Sequence, residues 1–435
     1  MDFEFSEEEG KEGVYMRRVE PGEAIQNIKS GDSVFIHSAC AEPQTLIEAL
    51  IENKHNLMGV KLFTTVPLGK CEYLDPSMKE HFTLYTFNMS PKTQEAFIEG
   101  RMEYIPVRSS EVPNLFNEGI LPLDVALIQV SPPDKDGYCS LGISVDYTLS
   151  AALNAKIVIG EINDQMPRTF GKSLLHISQI HYTVESSRPL ISLDPPAFGE
   201  TEKRIADYVC ELIPDGATLQ IGIGNIPEAI LSFLPQEKCR RIHTGLITDS
   251  IMNLLKRGGV KEKGTDHKPI VTTMMMGSKY LYDFVHLNPL IEVHPIEFVQ
   301  DLWTIGQLKG FVSLNSALEI DLTGQVNAET LGGLMVGGVG GQMDFTNGAS
   351  RSSNGRSIIA LPSTSRDENT SRIVPSLGKG SVVTIPRYDV DYVVTEYGWC
   401  RLKGKSLRQR ALELANIAHP KFREGLIEKM PLLRF

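Results

Sequence analysis

The sequence predicts an α/β fold with mainly parallel sheets, and three observations support this. Short apolar runs alternate with amphipathic helical patterns along most of the chain. Residues 31–50 and 216–234 each lead from an apolar, strand-like run through a short loop into a helical pattern. The length of 435 residues, with 41% hydrophobic content, allows two to three domains with ordinary cores. Strands that alternate with helices are typical of β-α-β units.

The elements follow in chain order from local patterns. The predicted strands are short and mostly apolar, and they cover residues 32–37, 123–130, 155–162 and 217–224. The predicted helices carry apolar residues three or four positions apart, and they cover residues 43–53, 202–213 and 227–234. The two strand-loop-helix stretches suggest two similar halves, although their identity is too weak to establish a repeat.

A domain boundary is predicted near residue 195. Residues 188–201 (RPLISLDPPAFGET) are rich in proline and turn-forming residues, and a helix is expected to follow with Thr201 as its N-cap. We therefore expect an N-terminal domain over 15–195 and a C-terminal domain over 196–435. The acidic residues 1–14 are predicted to be a disordered N-terminus.

Composition argues against several classes of function. The net charge of -11 disfavours general nucleic-acid binding, which needs a basic face. No apolar run reaches the roughly 20 residues that span a bilayer, and the N-terminus lacks the pattern of a signal peptide, so a cytoplasmic protein is expected. A serine-hydrolase elbow of the GxSxG type is also missing from the sequence.

No metal site is predicted. The six cysteines form no CxxC pair, which argues against zinc or a disulfide framework, and they are expected to be reduced. His176, His181 and His243 have no carboxylate or cysteine at ligand spacing beside them. These histidines are interpreted as ordinary buried or surface residues.

A glycine-rich stretch over 324–348 is the strongest candidate for a ligand-binding loop, with a tight structural turn as the alternative. Glycine crowding lets backbone amides approach a ligand closely. Polar residues hold fixed places around the glycines, unlike those of a flexible linker. The residues concerned are Gln325, Asn327, Glu329, Gly337, Gly338, Gly340, Gly341, Gln342 and Asp344.

A second glycine loop, over 219–229, is predicted to end a strand and open a helix. Gly222 and Gly224 would leave backbone N–H groups free for an oxyanion or a phosphate. A dinucleotide fingerprint is the rival interpretation, but Pro227 occupies the place of its third glycine. The basic segment 401–426 could meet a small polyanion or could be a solvated helix face.

The chain resembles the acetyl-CoA hydrolase/transferase family over nearly its whole length. The residues that carry the resemblance are 124–146, 166–180, 219–230, 324–333, 337–345, 355–367, 371–375 and 391–426. The resemblance implies two α/β domains of the CoA-transferase (NagB/RpiA) type with the active site between them, and transfer of coenzyme A between an acyl thioester and a carboxylate. It also favours a homodimer or a homotetramer, with no metal, nucleic acid or membrane partner.

The resemblance also implies a glutamate nucleophile, and here the chain departs from the family. The glutamate usually follows His-Thr or His-Ser, where this chain has Gly245. Glu72 stands where the family usually has proline, in a segment expected to reach the same cleft, so it is the predicted nucleophile. A surface charge is the alternative for Glu72. Glu42, Glu329 and Glu396 are expected to be supporting groups.

The remaining site assignments follow from the same resemblance. Gly222, Ile223 and Gly224 would stabilise the oxyanion, and Asn327 would bond the thioester or orient the nucleophile. Coenzyme A would be held by Asn225, Ile226, Gln325, Glu329, Gly337, Gly338, Gly340, Gly341, Gln342 and Lys405. A short-chain acyl-CoA:carboxylate CoA-transferase is the leading hypothesis. An acyl-CoA hydrolase and a non-catalytic CoA-binding protein are the alternatives.

Overall fold

The computed structural model describes residues 17–260 and 268–429. The predicted disordered N-terminus, residues 1–14, lies outside the described residues. Helices of the described chain are α1 (Pro21–Ile25), α2 (Gln44–Glu52), α3 (Pro91–Ile98), α4 (Val112–Asn117), α5 (Thr148–Asn154), α6 (Glu200–Leu212), α7 (Asn225–Phe233), α8 (Asp249–Lys256), α9 (Lys279–Val285), α10 (Ile296–Val299), α11 (Leu302–Gly306), α12 (Gln342–Arg351), α13 (Leu407–Asn416) and α14 (Pro420–Lys429).

Two large sheets organise the described residues. The first has eight parallel strands, in the order β1 (Arg17–Arg18), β11 (Tyr182–Ser186), β8 (Ile157–Asn163), β6 (Val125–Val130), β2 (Ser33–Ile36), β3 (Val60–Thr64), β4 (Phe82–Thr86) and β5 (Met102–Tyr104). The second has nine, in the order β26 (Gly398–Arg401), β25 (Tyr392–Thr395), β23 (Arg356–Ala360), β18 (Phe311–Ser316), β12 (Ala217–Ile221), β13 (Cys239–His243), β15 (Ile270–Thr272), β17 (Ile291–Val293) and β9 (Phe170–Gly171). Its strands are parallel except for β25 and β26, which pair antiparallel.

Short ladders complete the strand structure of the described chain. β7 (Tyr138–Ser140) pairs with β10 (Leu174–His176), and β14 (Leu246–Ile247) pairs with β16 (Met274–Met275). The region of the predicted glycine-rich loop adds β19 (Glu319–Asp321), β20 (Val326–Asn327), β21 (Thr330–Leu331), β22 (Leu334–Met335) and β24 (Ile373–Val374).

The predicted α/β class with mainly parallel sheets is confirmed, and the individual predictions hold with small shifts. The strand predicted over 217–224 ends at Ile221, and the glycines that follow form a loop. The prediction of Thr201 as an N-cap is wrong, because α6 already begins at Glu200. The N–H of Gly199 donates to the Glu202 carboxylate at 2.8 Å, so a glutamate three residues on caps this end.

Both faces of the first sheet are buried, as expected for parallel strands covered by helices. Val34 and Ile36 of β2 join one apolar cluster, while Phe35 points to the other. The cluster that contains Phe35 continues into Ile221 and Val312 of the second sheet. One apolar core therefore runs between the two sheets and fixes their mutual position.

One strand from the N-terminal side of the predicted domain boundary belongs to the second sheet. The first sheet takes its strands from residues 17–186, and the second takes most of its strands from residues 217–401. β9, however, belongs to the N-terminal half of the chain and pairs with β17 of the second sheet. The boundary predicted near residue 195 therefore separates β9 from the sheet in which it pairs.

Candidate active site

A cavity of about 440 Å³ lies between the two sheets. Its walls include residues at or just beyond the carboxyl ends of parallel strands in both sheets. These are Thr65 after β3, Asn88 after β4, Ile223 after β12, Gly245 after β13, Thr273 after β15 and Asn315 within β18. Ligands of open α/β sheets bind at this edge of the strands, so two sheets contribute to one site.

The glycine-rich stretch supplies one wall of this cavity through Gly338, Gly340, Gly341 and Gln342. The N–H of Ser109 donates to the Gly340 carbonyl at 3.0 Å, which ties the stretch to the first sheet's half of the chain. A Cβ on Gly338 would lie 2.9 Å from the Asn88 side-chain oxygen, so only glycine allows this approach. The predicted loop therefore lies at the junction of the two halves.

The loop between β12 and α7 presents unpaired backbone donors, as the sequence predicts. Gly224 has φ +125, a conformation that side chains rarely adopt, and α7 begins at the next residue. In the described chain, the N–H groups of Gly222, Ile223 and Gly224 donate to no protein acceptor. With the positive end of the α7 dipole behind them, these groups favour an anion.

None of the described residues that line the cavity is Asp, Glu, Lys, Arg or His. Glu72, the predicted nucleophile, is exposed in a short 3-10 helix (Glu72–Leu74) and is not among the lining residues. The structure therefore does not bring Glu72 to Gly245. Its position matches the alternative interpretation, an exposed charge on a loop.

Gly245 itself lines the cavity. A Cβ there would be 3.4 Å from Gln300 Nε2 and 3.7 Å from a ring carbon of Phe345, which are tolerable contacts. Its φ is not positive, so a side chain would cost no backbone strain. The chain thus has room for a side chain where it carries none.

Glu42, Glu329 and Glu396, which are predicted to be supporting groups, each accept hydrogen bonds from the protein. Glu42 is buried and accepts from the N–H groups of Leu68 at 2.5 Å and Gly69 at 3.1 Å, while burial raises its pKa to about 7. Glu329 accepts from Thr384 at 2.8 Å, and Glu396 accepts from the N–H of Ser363 at 2.9 Å.

Other predicted site residues, the catalytic candidate Asn327 and several predicted ligands of coenzyme A, have structural partners and do not line the cavity. Gln325 bonds Asp321 at 2.7 Å, and Lys405 pairs with Glu413. Asn327 is fully buried and accepts from the N–H of Thr330 at 2.9 Å. Gly337 donates to the Glu329 carbonyl at 3.1 Å. The bonds of Asn327 to Thr330 close a tight bend between β20 and β21, which is the structural alternative for this residue.

A second cavity, of about 640 Å³, opens at the start of α7. Asn225 and Ile226, both predicted to hold coenzyme A, line it. Its charged lining residues have both signs: Arg204, Arg366, Arg372, Glu200, Glu202, Glu368 and Glu396. Ile223 borders both this cavity and the one between the sheets. The basic segment 401–426 contributes only His419 to this cavity's lining among its described residues.

A third cavity, of about 250 Å³, shares Ile223 and Met276 with the cavity between the sheets. Glu228 and Asp249 line it, and burial raises the pKa of Glu228. Both carboxylates already accept hydrogen bonds, Glu228 from Ser250 and Asp249 from the N–H of Ser278.

Sequence reasoning missed the uncharged polar residues of the main cavity. Gln300 and Thr273 are 4% and 1% exposed, and the Gln300 Oε1 and Thr273 Oγ1 atoms have no hydrogen-bond partner in the described chain. Gln220 and Asn315 end neighbouring strands and bond each other at 3.4 Å. Their position at strand ends is a signal that could have identified Thr273, Gln220 and Asn315, whereas Gln300 has no such signal.

No group of three or more His, Cys, Asp or Glu is arranged to hold a metal ion within 17–260 and 268–429. In the same ranges, no helix has both the length and the apolar character to cross a membrane.

Two sheets whose strand ends face one cavity, with free N–H groups at a helix start and a glycine-rich wall, define an α/β enzyme of the CoA-transferase type. The chain belongs to the acetyl-CoA hydrolase/transferase family: the N-terminal domain of that family matches residues 5–193, and its C-terminal domain matches residues 277–430. Coenzyme A is the shared substrate of its CoA-transferases.

Named relatives resemble the chain over almost its full length. It is 47% identical to 4-hydroxybutyrate coenzyme A transferase of Clostridium kluyveri, covering 96% of this chain and 98% of the relative. The crystal structure of 4-hydroxybutyrate CoA-transferase from Porphyromonas gingivalis has a TM-score of 0.82 at 38% identity, with 96% and 98% covered. RipA from Yersinia pestis has a TM-score of 0.91 at 31% identity, with the same coverage.

Proposed function

We propose that this protein is an acyl-CoA:carboxylate CoA-transferase for short acyl groups, of the 4-hydroxybutyryl-, butyryl- or acetyl-CoA type. The observation that carries the proposal is the uncharged cavity between the sheets, which Ile223 connects to a second cavity whose lining includes three arginines among residues of both charges. An uncharged chamber with free N–H donors suits a thioester carbonyl, and arginines suit the phosphates of coenzyme A. The names of the full-length relatives support the same class of reaction.

The two cavities suggest how coenzyme A is placed. Its nucleotide would occupy the second cavity, where Arg204 and Arg366 carry charges that complement phosphate. Its pantetheine arm would cross Ile223 and bring the thioester beside Gly222 and Gly224. Removal of one oxyanion donor typically costs about 3 kcal/mol of transition-state stabilisation, so this loop would supply a large share of catalysis.

The covalent ping-pong route is the first mechanism to consider. A glutamate would attack the acyl-CoA carbonyl, form an acyl-glutamyl anhydride and then a glutamyl-CoA thioester, and the acceptor carboxylate would reverse these steps. Glu72 is the candidate from the sequence, and its use requires the exposed segment 69–75 to move into the cavity. In the structure as it stands, Glu72 is outside the lining.

The experiment that tests the proposal is a transfer assay with butyryl-CoA and acetate, for the wild type and for Glu72→Gln. Formation of acetyl-CoA that requires acetate supports the transferase. Consumption of butyryl-CoA at a rate independent of acetate identifies an acyl-CoA hydrolase. Tight binding of coenzyme A without turnover identifies a non-catalytic binding protein. Loss of transfer in Glu72→Gln would support the ping-pong route through that residue.

The assembly and location that we propose are a homodimer or homotetramer in the cytoplasm. Six unpaired cysteines agree with a reducing compartment. Light scattering of the purified chain measures the assembly, and a monomer at micromolar concentration would contradict it.

A further inference from the structure

We propose that the acceptor carboxylate itself binds beside Gly245 and attacks the acyl-CoA directly, so that transfer needs no nucleophile from the protein. The proposal rests on the proposed transferase function and names the step at its centre. Gly245 faces the cavity without a side chain, and the described lining contains no carboxylate. The cavity has space for a carboxylate beside Gly245, and the protein places no carboxylate of its own there.

Unpaired polar groups mark this space as a carboxylate site. Gln300 is 4% exposed, its Oε1 has no partner, and its Nε2 lies 3.4 Å from where a Cβ of Gly245 would be. In this orientation of the amide, Nε2 faces Gly245 and can donate into the space. The Thr273 hydroxyl, 1% exposed and without a partner, is a second donor in the same lining. Buried polar atoms normally have partners, so an unpaired pair points to a ligand.

The electrostatics of the cavity favour an anionic acceptor. A buried carboxylate is costly unless donors face it, and the Gln300 amide and the Thr273 hydroxyl are two such donors in the lining. A glutamate at position 245 would place a second negative charge beside the acceptor. That charge would raise the free-energy cost of binding the acceptor carboxylate. Glycine avoids that repulsion and leaves room for the acceptor's two oxygens.

The direct route balances without any further reactant. One acceptor oxygen attacks the thioester carbonyl, and the C–S bond breaks to give a mixed anhydride and the coenzyme A thiolate. The thiolate then attacks the acceptor-derived carbonyl of the anhydride, and the bond from that carbonyl to the bridging oxygen breaks. The products are the acceptor's CoA thioester and the donor acid, which keeps the bridging oxygen.

The fate of that oxygen distinguishes the two routes. Enzyme in excess over butyryl-CoA is mixed with acetate labelled with ¹⁸O on both oxygens, and the butyrate from the first turnover is weighed. The direct route places one ¹⁸O in butyrate. A glutamyl route gives unlabelled butyrate and leaves ¹⁸O on a glutamate, which peptide mapping would locate. Labelled butyrate is the result that we expect, and labelled protein with unlabelled butyrate overturns the direct route while the transferase function stands.

Substitutions at the site give a second, independent measurement. The wild type is expected to show intersecting initial-velocity lines, as for a ternary complex, and Gln300→Ala to raise the KM for acetate about tenfold through loss of a hydrogen bond to a charged group. Gly245→Gln fills the space without charge and is expected to abolish transfer. Gly245→Glu, of matched size, is expected to restore a covalent route with parallel lines and ¹⁸O on the protein.

The outcomes of these variants are decisive. Parallel lines for the wild type, or full activity in Gly245→Gln, would show that the acceptor does not use this space. Absence of CoA transfer to any carboxylate, in the wild type, would reject the transferase proposal and the direct route together. Unchanged KM for acetate in Gln300→Ala, with folding intact by circular dichroism, would remove Gln300 from the acceptor site.

Discussion

At the scale of single residues, the site depends on where side chains are absent. Gly245 leaves space, whereas Gly341 allows a contact: a Cβ on Gly341 would lie 2.3 Å from Gln300 Nε2 and 2.6 Å from Gln300 Cδ. The Gln300 amide lies against both glycines. The absence of a side chain at Gly341 lets the amide occupy its position, and the absence of one at Gly245 leaves the polar end of the amide exposed to the cavity. A sequence pattern shows the two glycines but not the glutamine between them, because Gln300 follows a short helix far away in the chain.

Gly341→Ala tests whether this contact positions Gln300. We expect a loss of about 1–3 kcal/mol in the free energy of unfolding, because the added methyl group overpacks a closed contact. The KM for the carboxylate should rise while the KM for acyl-CoA changes less, since the displaced amide faces the acceptor's space. Urea unfolding and initial rates measure the two effects. Gly22→Ala is the matched control, as a Cβ there meets nothing within 4 Å; equal effects of both variants would refute the contact.

At the scale of elements, the start of α12 joins the two halves of the chain. Asp344 is buried there and accepts from Ser110 at 2.8 Å and from Arg108 at 3.3 Å, and both partners belong to the N-terminal half. Burial, the main cause, raises the pKa of Asp344 to about 6 despite these two partners. The helix that follows the glycine-rich wall is therefore held against the first half by a carboxyl group that is costly to ionise.

Asp344→Asn is expected to reduce the pH dependence of stability. The folded state holds the proton of Asp344 more tightly than the unfolded chain, so its contribution is full below about pH 4 and is lost as the pH rises through about 6. That loss has an upper bound of about 3 kcal/mol in the wild type, and it should be absent in the variant. Urea unfolding between pH 4 and pH 7 measures it.

Glu111→Gln is the control for this measurement, because Glu111 shares Arg108 with Asp344 but is only half-buried. Its stability should still fall as the pH rises from 4 to 7, because Asp344 is unchanged. If Asp344→Asn loses stability between pH 4 and pH 6 as steeply as the wild type, another buried group governs the curve. Glu42, whose pKa is raised to about 7, would then be the first to examine.

The elements also show which structural features the sequence predicts and which it does not. Strands and helices came from local periodicity, and the loop before α7 came from two glycines after an apolar run, because these signals lie within a few residues of each other. Glu72 does not line the cavity. Its position depends on how a loop packs, and no local sequence pattern indicates that packing. Asn327 and Gln325 have the residue types of ligands, yet their partners, Thr330 and Asp321, lie three and four residues away in the same turn.

At the scale of the whole molecule, three cavities meet at one side chain. Ile223 borders the uncharged cavity between the sheets, the arginine-lined cavity at the start of α7, and the small acidic cavity near Asp249. It is 45% exposed although it follows a buried strand. The uncharged cavity suits an uncharged reactive end of a ligand, and the arginines of the second cavity offer cations for an anionic end.

Arg204→Gln tests this division of the molecule. Arg204 lines the second cavity from α6, and loss of one charge-assisted hydrogen bond to phosphate should raise the KM for butyryl-CoA about tenfold with little change in kcat. Lys203→Gln is the matched control, since Lys203 is the adjacent cation and does not line the cavity. The decisive comparison uses butyryl-pantetheine, which lacks the nucleotide: its KM should be the same in the wild type and in Arg204→Gln. An equal rise for both substrates would mean that Arg204 shapes the thioester cavity instead, and the nucleotide would have to lie elsewhere.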